Sequence, residues 1–573
     1  MAEIVPAKHQ PPLPMSQLIL KDGSEGAADR MELDVLIVGA GPAGLACAIE
    51  LAKIAKTDGK TLSIGVLEKS AALGEHSLSG AVVNPRAFRD LFPELKDSDF
   101  PFRDPVTKEA VYLLTADGRW RLPTPPTMHN KRYYVASLCE IVRWLGAKAE
   151  ELGVNVFTGF PAASLLTEGS RVVGVRTAAS GLDRDGKPGS GYAAPNDLTA
   201  KVTALAEGTR GLLGQAWCQW QGVTSDNPQI FALGVKELWE TKQPLDRVIH
   251  TMGWPLPSDA FGGSFMYPLE PNLVALGLVV GLDYKDANLD VHGLLQQLKQ
   301  HPLFRPYLEG GELVEWGAKT IPEGGYWALP HRRSGDGVVI LGDAAGFVDV
   351  PSLKGIHYAM QSGMYAARTI YRALTAGDPS IRQLCEYDRL VNHSYIAKDL
   401  YRTRNMRLAF KDGFFLGGIQ AALMTVTRGI FPGWMYGMHA DAEVARKLTP
   451  GTPGFRPRAG PEGAARGSPL GRPGSAGAIS KVDAVFKSGN ATRDTIPTHL
   501  IIGKDVSAEV ARFYAAMCPA GVYEWVEAPV GAQHAAPLLR VNAPNCVDCK
   551  ATDVLGPRWT PREGGSGPKY KRM

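Results

Sequence analysis

The stretch from Asp34 to Ala55, DVLIVGAGPAGLACAIELAKIA, constrains this chain more than any other. Val35-Leu36-Ile37-Val38 is a continuous apolar run of the kind that a strand buried on both faces shows. Gly39, Gly41 and Gly44 follow at G-x-G-x-x-G spacing, and an alanine-rich amphipathic segment predicts a helix after them. In such a unit one glycine makes the tight turn, one lets the backbone approach a pyrophosphate, and one lets helix and strand pack closely. The helix N-terminus then offers unpaired N–H groups and a positive dipole end to the phosphates. A second apolar run, Leu62 to Leu67, ends at Glu68. Glu68 stands 24 residues beyond Gly44, near the position about 20 residues on where an acidic residue takes the ribose hydroxyls. The alternative is a glycine turn in an ordinary βαβ unit.

A second motif later in the chain extends this reading. Val338 to Val350, VVILGDAAGFVDV, is a buried strand ending in Gly342-Asp343, and the loop PSLKG leads into a helix starting near Gly355. Asp343 alone could cap a helix. Paired with the first motif, it argues for one extended FAD, with the Gly355 helix aimed at the pyrimidine side of the flavin. Between the motifs, Leu73 to Phe88 is a Gly- and Ser-rich loop carrying His76, placed to pass the isoalloxazine ring.

With 573 residues the chain is too long for one core, and 45% hydrophobic with 21% charged residues is a globular composition. A net charge of +4 without a basic stripe excludes nucleic acid as an expected partner. Residues 1–30 resemble neither a signal nor a transit peptide, and no apolar run is long enough to span a bilayer, which predicts a cytoplasmic location.

Residues 104–126 read as irregular and proline-rich. From Trp217 to about Pro330 the pattern alternates, predicting an antiparallel sheet, and within it Gly262-Gly263 leaves backbone open to a close ligand or makes a bulge. Residues 410–438 place Phe415, Ile419, Leu423, Val426 and Ile430 on one stripe, followed by Phe431, Trp434 and Tyr436. That suits a helix lying in a membrane interface, or a buried core helix. Thr449 to about Asn490 reads as a Gly/Pro/Ser-rich linker. Of seven cysteines, Cys47, Cys139, Cys218 and Cys385 are scattered, whereas Cys518, Cys546 and Cys549 cluster near the end.

The order GAGPAG, GEHSLSGAVVNP, GWPL, GGSFMY, EGGYWALP, GDAAGFVDVPSLKGIHYAM, CPAGVYE, NCVDCK and GPKY resembles the electron transfer flavoprotein–ubiquinone oxidoreductase family, from about Asp34 to the C-terminus. The resemblance implies an α/β and α+β chain: a Rossmann-like FAD-binding domain, an inserted antiparallel-sheet quinone domain, and a C-terminal ferredoxin-like domain. Its parts would be a flexible N-terminus (1–30), FAD domain (31–216 and 331–409), quinone domain (217–330), membrane segment (410–448), linker (449–494) and iron–sulfur domain (495–573). It implies electrons taken from electron-transferring flavoprotein and passed to a membrane quinone, at the cytoplasmic face of the inner membrane. By position, Gly39, Gly41, Gly44, Glu68, Gly342, Asp343 and Gly355 match the FAD site, and Gly262 and Gly263 the quinone contacts. Residues 104–126 overlap a second membrane segment. No catalytic side chain is assigned.

The departure lies in the 4Fe–4S site. The family places a cysteine in CPAGVYE and three at C-x-x-C-x-x-C; here Cys518, Cys546 and Cys549 are followed by Thr552. A cubane needs a ligand on each iron, usually thiolate. Asp553 is adjacent and could supply oxygen; a 3Fe–4S cluster or none are the alternatives. Rival readings of the whole are a flavin hydroxylase or prenyl reductase, which share the FAD motifs but lack the cysteine domain, and a non-catalytic docking flavoprotein.

Overall fold

The computed structural model describes residues 3–80, 82–448, 477–504, 506–526 and 538–573. Its first sheet is built on five parallel strands in the order Asn155–Thr158, Ile64–Glu68, Asp29–Val38, Asn196–Leu205 and Val338–Ile340. Val35, Leu36 and Ile37 are fully buried, as the continuous apolar run requires. Helices Pro42–Thr57 and Ile356–Thr375 pack against each other, and both begin at strand-to-helix loops of this sheet. Arg171–Thr177 pairs antiparallel with the first half of Asn196–Leu205, on the same edge as Val338–Ile340, and Ala162–Glu168 pairs antiparallel with Arg171–Thr177 in turn.

The second sheet runs Glu312–Pro322, Phe231–Glu240, Leu273–Gly281, Gly262–Glu270, Val248–Gly253, Glu109–Leu114 and Arg119–Leu122. All neighbours are antiparallel except Val248–Gly253 with Glu109–Leu114. Residues 104–126, expected to be irregular, thus contribute an edge hairpin. Its strands are short, and their partner lies more than a hundred residues away. At the other end of this segment, Trp217 belongs to helix Leu212–Trp220 and to the core of the first sheet, so the change of fold falls nearer Phe231 than Trp217.

The N-terminus expected to be flexible is instead tied down. Glu3–Ile4 pairs with Arg446–Lys447, and Ile19–Lys21 forms the outer edge of the first sheet beside Leu165–Thr167. Gln10 donates to the Asp553 carbonyl at 2.8 Å, and Arg558 to that of Pro11 at 2.9 Å. Of the expected linker, residues 449–476 lie outside the described residues. Residues 477–494 are structured: Lys481–Lys487 is a helix with a Ser480/Asp483 capping box. The C-terminal unit adds helix Ala508–Met517, the pair Tyr523–Val526 and Leu538–Val541, and the short helix Ala551–Leu555. The last residues return to the body, where the Met573 carbonyl accepts from Ser137 and the Tyr570 hydroxyl from the Ala318 N–H.

Helix Phe414–Val426 buries only Gly417 and Met424. Phe415 is 72% exposed, Ile419 69%, Val426 81% and Ile430 80%, with Trp434 beside them. This overturns the core-helix alternative. Among the described residues no helix is long and apolar enough to cross a membrane.

His250 in the second sheet sits 2.6 Å from the Tyr267 hydroxyl, and burial, aided by the Lys354 charge, pushes its imidazole down to about 3. The unfolded chain, with an ordinary histidine near 6.5, therefore binds that proton first. The His250 contribution is complete above pH 6.5 and is lost as pH falls toward 3, by about 1.4 kcal/mol per pH unit. The thermal midpoint should drop between pH 7 and pH 5, and His250→Gln should make the drop shallower. An unchanged slope in the variant would contradict this reading.

Candidate functional site

The glycine loop has the shape its spacing predicts. Gly39 takes φ +106°, and a side chain on Gly44 would stand 2.1 Å from the Gly39 carbonyl oxygen. Gly41 differs: a Cβ there would meet no atom within 4 Å. Gly39 and Gly44 are therefore required by the fold, whereas Gly41 borders open space at the start of helix Pro42–Thr57. No side chain caps that helix. Its first N–H groups stay available to an anion.

Glu68 ends the neighbouring strand and is held beside the loop. One carboxylate oxygen accepts from the Ala40 N–H at 3.2 Å, and the other from the Ser70 N–H and hydroxyl at 2.9 Å. Across the crevice, Gly342 adopts φ +59° and donates its N–H to Ser362 at 3.0 Å. Asp343 follows, half-buried, with no hydrogen bond to its carboxylate among the described residues. Burial pushes that carboxyl up to about 6, while the Lys319 charge opposes the shift. Gly355 is the N-cap of Ile356–Thr375, also without a side-chain cap, and a Cβ there would stand 3.7 Å from Asp343 Oδ1. Two open helix N-termini, a carboxylate at a strand end and an unpartnered carboxylate in one crevice fit an extended dinucleotide.

Gly262 and Gly263 are strand residues paired with Val280 and Val279. Side chains there would strike the Val279 carbonyl at 2.1 Å and the Thr251 carbonyl at 2.4 Å. Close strand packing already accounts for both glycines, so Gly263→Val would disturb the sheet itself. The loop from Trp254 to Phe261 joins this strand to the exposed helix. The Phe414 N–H donates to the Ser258 carbonyl at 3.0 Å, and Phe261 packs edge-on against Phe410.

The three clustered cysteines converge on one buried cavity. Cys518 terminates helix Ala508–Met517; Asp548, between Cys546 and Cys549, and Lys550, just after Cys549, take positive φ. Cys518, Cys546, Cys549 and Thr552 all line the cavity. Amide N–H groups point at each sulfur: Ala520 and Val522 at Cys518, Asp548 at Cys546, Ala551 at Cys549. Burial pushes all three thiols up, and at Cys549 the neighbouring sulfurs add repulsion. Three buried cysteine sulfurs that each receive amide N–H groups are the donor set of a soft metal centre.

The fourth corner does not match. The Thr552 hydroxyl donates to the Pro557 carbonyl at 3.1 Å and lies 2.6 Å from the Tyr523 hydroxyl, which must then be the donor. Asp553, the expected oxygen alternative, faces away. Its carboxylate pairs with Arg210 at 2.9 Å and Arg558 at 3.3 Å, and accepts from Gln215 and the Trp559 N–H. It is excluded as a ligand in this conformation.

Sequence reasoning also missed the seam between the cavity and the first sheet. His76, in the loop expected to pass a flavin ring, lies 3.6 Å from Asp548, which also pairs with Lys69 and with Arg562 at 3.0 Å. Those charges hold the Asp548 carboxyl well below its usual range despite its burial. His499 is buried with neither ring nitrogen bonded, close to Cys546 and Asp548. Nothing but the residue types themselves marked these positions.

A dinucleotide crevice, an antiparallel sheet and a three-thiol cavity together define an α/β redox protein with an appended metal-binding unit. Residues 231–321 match the family described as ETF-QO, ubiquinone-binding, and residues 478–571 the one described as electron transfer flavoprotein-ubiquinone oxidoreductase, 4Fe-4S. The chain is 38% identical to the mitochondrial electron transfer flavoprotein-ubiquinone oxidoreductase of Oryza sativa, over 96% of this chain and 94% of that one. It is 35% identical to the probable enzyme of Acinetobacter baylyi, over 95% and 99%. The chain belongs to the electron transfer flavoprotein–ubiquinone oxidoreductase family. Among solved structures, a geranylgeranyl bacteriochlorophyll reductase-like protein of Thermoplasma acidophilum shares the fold, with TM-score 0.54 and 19% identity over 72% of this chain and 95% of that one.

Two substitutions separate ligand contact from packing at the crevice. Gly41→Val should fold with an unchanged thermal midpoint before cofactor loading yet fail to retain FAD through dialysis. Glu68→Ala should weaken FAD binding roughly 10- to 150-fold, the loss of charge-assisted bonds worth about 1.5–3 kcal/mol. Full flavin occupancy in both variants would remove the nucleotide-site assignment.

Proposed function

We propose that this protein takes electrons singly from an electron-transferring flavoprotein and delivers them in pairs to a membrane quinone, ubiquinone or menaquinone. The observation that carries this reading is the near full-length identity to family members, with the quinone and iron–sulfur regions both matched in this one chain. FAD, when bound, supplies a centre that can take electrons one at a time and release two.

The chain's own residues bind and orient that group. The open N-terminus of Pro42–Thr57 receives the pyrophosphate and Glu68 the ribose. Asp343 accepts from a hydroxyl of the sugar chain; with its carboxyl at about 6 it is mostly ionised at neutral pH. The Gly355 end of Ile356–Thr375 directs its dipole at the pyrimidine side, where negative charge grows on reduction. The three thiolates hold the iron–sulfur group, and no electron step is assigned through it because its fourth corner departs from the family. The quinone head group approaches beside Gly262 and Gly263, entering from the exposed helix through the loop at Trp254–Phe261.

Helix Phe414–Val426 and the aromatics after it form the membrane contact of a peripheral protein on the cytoplasmic face of the inner membrane. Phe415→Ser, Ile419→Ser and Leu423→Ser together remove three side chains, each worth about 1.5–3 kcal/mol on burial. The triple variant should keep its flavin spectrum and lose flotation with phospholipid vesicles by at least a hundredfold. Unchanged flotation would move the contact elsewhere.

Anaerobic mixing of reduced electron-transferring flavoprotein, the holoprotein in vesicles and a short-chain quinone tests the activity itself. Quinol should form, with two one-electron donor oxidations per quinol. Full flavin occupancy without quinol would favour a docking flavoprotein.

A further inference from the structure

The iron–sulfur cavity offers three thiolates to a four-iron cluster. Residues 478–571 match a 4Fe-4S family, and each iron of such a cube needs a ligand. Cys518, Cys546 and Cys549 face the cavity, each with amide donors on its sulfur. The remaining cysteines lie elsewhere: Cys47 inside the core of the first sheet, Cys139 bonded to the Ser77 carbonyl, Cys218 in helix Leu212–Trp220 and Cys385 exposed. None lines the cavity.

Thr552 occupies the fourth side, and its hydroxyl is already engaged. It gives its proton to the Pro557 carbonyl and receives one from Tyr523. Binding iron as an alkoxide would require the hydroxyl to lose that proton inside a buried pocket, leaving the Pro557 carbonyl unpaired. The carboxylate next to Thr552 in sequence, Asp553, is held by Arg210, Gln215 and Arg558. Asp548, the other acid of the turn, is held by Lys69 and Arg562. Among the described residues that line the cavity, no further side chain is free to close the cube; His499, with both ring nitrogens unbonded, stands beside Cys546 and Asp548 but outside that lining.

We propose that this protein holds a site-differentiated cluster: three irons fixed by Cys518, Cys546 and Cys549, and a fourth at the Thr552 corner bound by hydroxide or another small exogenous ligand and exchangeable with solution. The inference rests on the reading that this unit binds an iron–sulfur cluster. It goes beyond that reading in naming one corner open to exchange and to small anionic or thiol ligands. With a one-electron oxidant such as ferricyanide the step balances. The cube gives one electron to ferricyanide, which becomes ferrocyanide, and releases one Fe2+, leaving a three-iron, four-sulfide cluster on the three thiolates. Ferrous iron with a reductant reverses it.

The test uses the full-length holoprotein, purified anaerobically and reconstituted with excess iron and sulfide. Iron and sulfide are measured, ferricyanide is added in stoichiometric amount, and released Fe2+ is counted beside EPR spectra. The expected result is loss of one iron in four with full retention of sulfide, and the near-isotropic signal of an oxidised three-iron cluster. Added ferrous iron and dithionite should abolish that signal, and 57Fe supplied at this step should enter one corner by Mössbauer spectroscopy. Thr552→Cys should suppress both release and exchange, and Thr552→Val should leave them as in the natural chain. Four irons that resist ferricyanide in the natural chain, with Thr552→Cys indistinguishable from it, would overturn the open corner while keeping the cluster. Release that appears only on Thr552→Val would make Thr552 the ligand and overturn the proposal. Absence of iron and sulfide after reconstitution, with flavin intact, would overturn the cluster reading and this inference with it.

Discussion

Two buried aspartates at the thiol-bearing turn hold the C-terminal unit against the first sheet. Asp548 lies between Cys546 and Cys549 and pairs with Lys69, the residue after Glu68, and with Arg562. Asp553, just beyond Thr552, pairs with Arg210 in the loop following strand Asn196–Leu205, and with Arg558. The Asp553 carbonyl also accepts from Arg210 and Gln10, which draws the N-terminus into the same joint. Removing one member of such a buried pair leaves a bare charge, at a cost of about 3–5 kcal/mol. The metal cavity and the dinucleotide crevice are thereby placed on opposite sides of one ionic seam, with Lys69 and Glu68 adjacent in sequence across it.

The surface away from that seam follows a different logic. The exposed side chains Phe415, Ile419, Val426 and Ile430 form an apolar strip larger than isolated surface hydrophobes explain. The helix bearing it is anchored through the Phe414 N–H to the Ser258 carbonyl in the loop before strand Gly262–Glu270, and Gly417 packs closely on Ala409 and Phe410. A lipid-dissolved molecule entering along the strip would meet that loop first. The same chain thus carries a water-side redox joint and a lipid-side entrance, joined by the second sheet.

Local chemistry was legible in the sequence wherever one short motif determines one backbone shape. The Gly39–Gly44 loop, the strand ending at Glu68 and the Gly342-Asp343 turn fold as their patterns predict, and the amphipathic stripe does so from Phe415 to Val426, where the helix ends short of Ile430. Thr552 was likewise visible as a departure. Non-local structure was not legible. The strands Glu109–Leu114 and Ile19–Lys21 are short and polar-flanked, and they exist because distant strands receive their backbone hydrogen bonds. The Asp553 carboxylate looked free to bind iron because its partners Arg210 and Gln215 lie more than three hundred residues away. Gly262 and Gly263 read as ligand-facing, yet their missing side chains are first demanded by the neighbouring strands. The capping box at Ser480 and Asp483 was present in the sequence but hidden by the Gly- and Pro-rich composition around it.

The ionic seam is the feature on which both sites depend, and hydrogen exchange on the full-length holoprotein tests it most directly. In Asp553→Asn, exchange should rise in residues 551–559 and also across the seam, in residues 206–215 and in the N-terminal residues around Gln10. The second sheet should be unaffected. Faster exchange confined to residues 551–559, with 206–215 and the N-terminus unchanged, would contradict the claim that this aspartate holds the two units together.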